Sequence, residues 1–215
     1  DIEEAQAYDA SAVNERIQQA VEETRGLVLS CEGELPYAWF HAHSGGMTEY
    51  ARTGLGWEKD EPAYTQPSRG TEPEQLSDAK ENQQLQAAAE WKADFTFAEW
   101  TAACQKQGVQ VEPHAGSQLQ ISQRGESGRA VTLEIDGQSV NAADLRLALG
   151  STKMRSTLLT SLKIENGKVH MAGKGYGHGV GMSQWGAYGM AQEGKSAEQI
   201  IKQYFQKVEI AQIGN

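Results

Sequence analysis

Hydrophobic residues recur at helical spacing over 11–25, where Val13, Ile17, Ala20, Val21 and Thr24 share a face and Gly26 is placed to end the helix. The texture then turns strand-like over 27–32 and again over 35–42. Glu32-Gly33-Glu34 between them predicts a turn, and so a hairpin. Residues 56–94 are polar and carry Pro62, Pro67 and Pro73, which predicts a surface excursion ending in a helix over 73–93. Thr96-Phe-Ala-Glu99 is a capping box that opens a helix stopping near Gly108. From Gly116 the pattern alternates through Leu119 and Ile121, then Val131, Leu133 and Ile135, with Asp136-Gly137 as a hairpin turn. Asn141 caps a short helix through Leu145 and Leu147 that Gly150 ends. Strands over 158–164 and 168–171 flank Asn166-Gly167, a second hairpin. Ser183 caps a helix running to Gly194, and Ser196-Ala-Glu-Gln199 opens a last one through Ile200, Ile201 and Tyr204. No internal repeat appears. The pattern predicts an α+β fold, with mixed or antiparallel sheets, hairpins and several helices around a central cleft, in one unit divisible into two lobes.

Residues 173–189 contain seven glycines, and Gly175, Gly177, Gly179 and Gly181 alternate strictly around Tyr176, His178 and Val180. Glycine loses the most backbone freedom on ordering, so this density needs a geometric reason: positive φ, or close approach of the backbone to something else. A bare-backbone loop with one histidine, leading into the free N–H groups of the helix at Ser183 and Gln184, reads as the floor of a cleft for a polar ligand. The plainer alternative is a glycine corner whose histidine satisfies backbone groups. The spacing does not fit the dinucleotide fingerprint, and no Gly-Lys-Ser/Thr phosphate loop is present.

A second polar nest is Ser44-Gly45-Gly46-Met-Thr48-Glu49. Glu49 is either a solvated surface acid or a general acid. His41 and His43 fall on one face of a strand, but no acid or cysteine stands beside them at ligand spacing, so no metal is assigned. Ser44 or Ser183 could be paired with His178 as a nucleophile, yet Gly181-Met-Ser-Gln-Trp185 lacks the second glycine of a serine hydrolase elbow.

The charge balance, 19 Lys+Arg against 29 Asp+Glu for a net −10, argues against non-specific nucleic-acid binding. No apolar run approaches the roughly 18 residues of a membrane span. Cys31 and Cys104 allow one disulfide and form no Cys-x-x-Cys pair. The opening at Asp1 reads as that of a processed, truncated or cleaved piece.

Taken together, Gly175-Tyr-Gly-His-Gly-Val-Gly-Met-Ser-Gln-Trp-Gly-Ala-Tyr-Gly-Met-Ala191 strongly resembles the closing signature of the stage II sporulation protein D family. Ala20-Val-Glu-Glu-Thr-Arg-Gly26, Phe40-His-Ala-His-Ser-Gly-Gly-Met-Thr-Glu49, Ser127-Gly-Arg-Ala130 and Asp144-Leu-Arg-Leu-Ala-Leu-Gly150 fit the same family in the same order. The similarity covers nearly all of residues 1–215. It implies one domain of that family, a lytic transglycosylase that cuts peptidoglycan glycan strands stripped of stem peptides, outside the cytoplasm, in the cell wall or septal space. It further implies an amidase partner, no cofactor, and chemistry by a single carboxylic acid that serves as acid and then base. The family's catalytic glutamate lies upstream of the region that begins near Asp1, so the resemblance implies a separate or missing N-terminal segment that supplies it, with Glu49 the first suspect within this chain. The cysteines and histidine that bind zinc in some members have no counterpart in 1–8. The cleft expected here has Ser44, Gly45, Gly46 and Thr48 on one side and Tyr176, His178, Gly179, Ser183 and Gln184 on the other. The helix N-terminus at Ser183 is placed to receive the lactyl carboxylate that peptide removal exposes. Family relatives that act as non-catalytic amidase enhancers supply the alternative function, and a zinc-dependent or serine hydrolase is a third.

Overall fold

Asn14 sets the first helix, because its side chain accepts a hydrogen bond from the Ile17 N–H and so caps α1 (Glu15–Glu23). This is seen in a computed structural model that describes residues 10–214. The helix expected over 11–25 is therefore shorter, with a 3-10 turn, Ala10–Ala12, in front of it. The chain divides into two units, Tyr37–Val208 and a smaller one formed by the residues on either side of it. In the smaller unit β1 (Leu27–Ser30) pairs antiparallel with the last strand, β10 (Glu209–Gln212). The hairpin expected between 27–32 and 35–42 does not form. Glu32 and Gly33 turn the chain at φ 54° and 87°, but only a single bridge, Cys31 to Glu34, follows. Pro36 has no N–H to extend a ladder.

In the larger unit, β2 is reduced to Phe40–His41 and pairs in parallel with β9 (Met182–Ser183). A short helix, α2 (Ala51–Leu55), follows, and α3 (Ala79–Ala89) is capped by Asp78. The helix expected over 73–93 is thus cut at both ends. From Glu90 the chain becomes β3 (Glu90–Thr96), whose Trp91 and Phe95 are buried and Ala93 half-buried while Lys92 and Asp94 are exposed. Burial with a period of two is what a strand requires and a helix cannot supply. The capping box forms as expected: Thr96 and Glu99 hold each other at the start of α4 (Phe97–Gln105).

The remaining strands follow the alternation. β4 (Leu119–Arg124), β5 (Ala130–Ile135) and β6 (Gln138–Asn141) make an antiparallel meander, with Asp136-Gly137 at positive φ in the tight turn. Asn141 accepts from the N–H groups of Ala143 and Asp144 to cap α5 (Ala142–Leu149). β7 (Leu159–Glu165) and β8 (Lys168–Lys174) form the second hairpin, and β8 sits between β3 and β7. α6 (Gln184–Gln192) and α7 (Ala197–Tyr204) complete the unit. Phe95, Trp100, Leu133, Ile135, Leu145 and Val169 are fully buried in one core between the two three-stranded sheets and the helices α4 and α5. The protein is α+β. β8, the middle strand of its sheet, runs directly into the glycine stretch.

Candidate functional site

The two glycine-bearing loops do not face each other across a groove, as the sequence suggests. They are bonded together. His43 and Tyr176 exchange backbone hydrogen bonds at 3.1 and 2.9 Å, the Trp185 N–H donates to Ala42 at 3.0 Å, and the Glu49 N–H donates to the Gly179 carbonyl at 2.9 Å. The alternating glycines are what permits this contact. A Cβ at Gly175 would lie 2.7 Å from the His43 carbonyl, and one at Gly179 would collide with the Arg129 guanidinium. Both residues also sit at positive φ, 76° and 83°, where other residues are strained.

Beneath the contact lie buried charges, and each is satisfied mainly by backbone or hydroxyl groups. Arg129 is fully buried; its guanidinium donates to the carbonyls of Ser44 at 2.6 Å and Met47 at 2.8 Å, and to the Ser127 Oγ at 3.1 Å. Burial pulls its pKa down to about 10, with Glu49 and Glu72 pulling the other way, so it stays charged. Glu49 is 1% exposed. One of its oxygens accepts from the Ser127 N–H at 3.0 Å and hydroxyl at 2.8 Å, and the other from the Tyr50 N–H at 2.9 Å. Glu49 is therefore no solvated surface acid. It ties the turn at Ser127 to α2 and shares Ser127 with Arg129.

Glu72 plays the matching part on the other side. Its Oε1 accepts from the Ser44 N–H and from the Ser183 hydroxyl, both at 2.6 Å, and lies 3.8 Å from His43 Nδ1. Burial works to raise its pKa, but those hydrogen bonds and His43 outweigh it and hold the carboxyl below its ordinary value. The Ser183 hydroxyl caps α6 by accepting from the Gly186 N–H at 3.2 Å. A carboxylate thus already occupies this helix start, and it belongs to the protein. Ser183 is fully buried, so the lactyl carboxylate expected there has no access to its hydroxyl.

Burial favours the neutral form of His41, His43 and His178. Desolvation, with Arg146 and Arg129 nearby, lowers the His178 pKa to about 4, and its Nδ1 accepts from the Val180 N–H at 3.1 Å. His41 is buried, its ring 5.7 Å from that of His178, and burial pushes its pKa well down. His43 accepts the Gly45 N–H at 2.9 Å, and burial lowers its pKa too. The two histidines expected to share a face serve different neighbours, His178 for one and Glu72 for the other. Among the described residues, no three His, Cys, Asp or Glu side chains are grouped to hold a metal ion.

A cavity of about 470 Å³ opens beside the junction, lined by His43, Gly45, Gly46, Arg69, Glu72 and Lys174 among others. A second, of about 650 Å³, shares Arg69, Gly70, Glu72 and Pro73 with it. Of the expected site residues, Gly45 and Gly46 reach the first cavity. Ser44, Thr48, Glu49 and Ser183 are buried, and Thr48 accepts the Ser68 N–H at 2.7 Å. His178 and Gly179 belong to the loop contact, Tyr176 carries the Arg155 guanidinium 5.1 Å from its ring, and Gln184 is exposed at the start of α6. Sequence reasoning missed Glu72 and Arg69, which lie in the polar stretch read as a surface excursion. Arg129 was visible only as part of Ser127-Gly-Arg-Ala130.

Residues 57–181 match a family model described as Domain of unknown function (DUF8618). The chain is 33% identical over 92% of its length to Stage II sporulation protein D of Bacillus amyloliquefaciens, covering 51% of that protein. It is 30% identical over 92% of its length to an uncharacterized protein of Brachyspira hyodysenteriae, covering 49% of it. To the Amidase enhancer of Bacillus subtilis it is 27% identical over 93% of its length, covering 33% of that protein. The chain spans about half the length of the first two relatives and a third of the last. The DUF8618 model spans more than half of the chain, which belongs to that family, and by its likeness over nearly its whole length to these relatives the chain belongs to the stage II sporulation protein D family.

Proposed function

We propose that this chain is the glycan-binding body of a peptidoglycan lytic transglycosylase, acting outside the cytoplasm on peptide-stripped strands during the wall remodelling of sporulation. The observation that carries the reading is the cavity beside the loop junction, walled by Gly45, Gly46 and Gly70 and rimmed by charged and amide side chains. Such a surface offers backbone and polar groups to hydroxyls and acetamido groups, with a smaller apolar part from Pro73, Leu85 and Ala89.

Glycan cleavage with anhydro-ring formation needs one carboxyl group that gives a proton to the leaving oxygen and takes one from the sugar's 6-hydroxyl. Glu72 is held below its ordinary pKa, the wrong direction for an acid that must keep its proton near neutrality. Glu49 is buried and already committed to Ser127 and Tyr50. In this reading the acid comes from polypeptide outside residues 1–215, and the chain contributes binding and orientation. Purified chain should then be retained on peptide-stripped glycan but release few anhydro ends, and adding the family's glutamate-bearing segment should raise that release. No retention on stripped glycan would sink the proposal; full cleavage by the chain alone would move the acid into it, to Glu49 first.

The same committed carboxylates favour a second reading, an amidase enhancer that binds wall and partner without cutting. Stimulation of a purified cell-wall amidase, with no new glycan ends under any complementation, would select it.

A further inference from the structure

Tyr37, Trp39 and Trp57 form an aromatic cluster that belongs neither to the buried core nor to the cavities described above. The rings of Tyr37 and Trp39 stack almost parallel, 5.1 Å apart and 7° from coplanar. Trp57 stands edge-on to both, at 5.2 and 5.0 Å. Tyr37 remains 52% exposed, and Trp39 and Trp57 are part exposed. Single exposed aromatics need no account, but three assembled into one exposed surface do.

The cluster is also held in place. The Trp57 indole N–H donates to the Asp60 carbonyl at 3.2 Å, and the Tyr37 N–H donates to the Tyr64 hydroxyl at 2.9 Å. The Trp39 carbonyl accepts from the Met182 N–H at 3.0 Å, and a Cβ on Gly181 would run into that same carbonyl. The ring cluster is thereby fastened to the end of the glycine loop, one residue from β9. Rings fixed before a ligand arrives lose little freedom when it binds.

The geometry points to a saccharide-stacking platform at Tyr37, Trp39 and Trp57, taking one hexosamine ring of a peptide-stripped glycan strand. A pyranose ring has a face of C–H groups, each slightly positive, and a rim of hydroxyls. The C–H face is matched by the negative face of an aromatic ring, the same field that draws the Lys59 ammonium to 5.3 Å from the Trp57 ring. Glu58, Lys59 and Asp60 follow Trp57 directly and are exposed, so their polar groups are available to the hydroxyl rim. Those two acids also oppose an anionic lipid or nucleic-acid occupant. The inference rests on the glycan reading above and assigns it a second point of contact.

The test is titration of peptide-stripped glycan oligosaccharides of defined length into the wild-type chain and into Tyr37→Ala, Trp57→Ala and Trp57→Phe, with melting curves on each. Tyr37→Ala and Trp57→Ala should weaken binding of long oligosaccharides by about fivefold or more. Trp57→Phe, which keeps a ring face, should retain most of the affinity. Equal affinity in a folded Tyr37→Ala variant would overturn the platform and leave the glycan reading standing. Failure of the wild-type chain to bind any length would remove both. If Tyr37→Ala keeps its glycan affinity but loses stimulation of an amidase, the cluster is a protein contact and the platform is wrong.

Discussion

The core between the two three-stranded sheets and the junction of the glycine loops are both buried, and they are held by opposite means. Around Leu133, Phe95 and Val169 the buried atoms are apolar, so stability scales with area removed from water and neighbours can shift to fill a change. Around Arg129, Glu49 and Glu72 the buried charges are met by named donors and acceptors, the Arg129 Nε alone among their atoms being buried without a partner. There, removing one partner strands the others at full desolvation cost. The difference teaches where precision is kept: the apolar core supports the fold, and the polar junction fixes the shape of the wall beside the cavity.

The sharpest break of this comparison is Arg129→Ala. It leaves the Ser44 and Met47 carbonyls without their donor and removes a buried cation that Glu49 and Glu72 both act on, so urea unfolding should show a loss of about 3–5 kcal/mol. A loss below about 1 kcal/mol would mean the junction is as forgiving as the core. A pair of near-isosteric changes comes next. Leu133→Met should cost less than about 1.5 kcal/mol. Glu49→Gln, equal in size, should cost about 2–3 kcal/mol, because its amide would set N–H groups against the donors of Ser127 or Tyr50 and remove a charge near Arg129. Equal costs for the two would erase the distinction.

The pH response is smaller and has a definite sign. His178 binds its proton at about 4 in the folded chain and near 6.5 when unfolded, so the unfolded state takes up more protons between those values. Stability should therefore fall as pH drops from about 6.5 toward 4, with His41 and His43 adding in the same direction. The depressed carboxyl of Glu72 gives stability present above its unfolded value, and this is lost only at lower pH still. Denaturation curves from pH 7 to 4.5 should flatten in His178→Gln, by on the order of 1–2 kcal/mol at the acid end. The smallest effect is expected for Lys202→Ala, which breaks an exposed pair with Glu198 on α7 and should leave the melting temperature unchanged.

Much of the fold was legible because its signals are local. Asn141, Thr96 with Glu99, Ser183 and Ser196 cap the helices they were expected to cap, and Asp136-Gly137 and Asn166-Gly167 turn the hairpins they were expected to turn. What misled depends on residues far away. β1 finds its partner in β10, nearly the whole chain distant, and Glu90–Thr96 takes strand form because β8 pairs with it. The site divides in the same way. The glycines did announce a close approach, but what approaches is the chain's own backbone at His43 and its own Arg129. Glu72 and Ser183 are 111 residues apart, and no spacing rule joins them.

The junction reverses an ordinary expectation about motion. A segment with seven glycines in seventeen residues would, by composition, be the quickest part of the protein to exchange its amide hydrogens with solvent. Here the N–H groups of Gly175, Tyr176, Gly177 and Met182 donate to Ala89, His43, Arg155 and Trp39, and the segment continues the middle strand of a sheet. Those four amides should exchange as slowly as those of β8, a protection pattern of core strand written in the residues of a flexible linker.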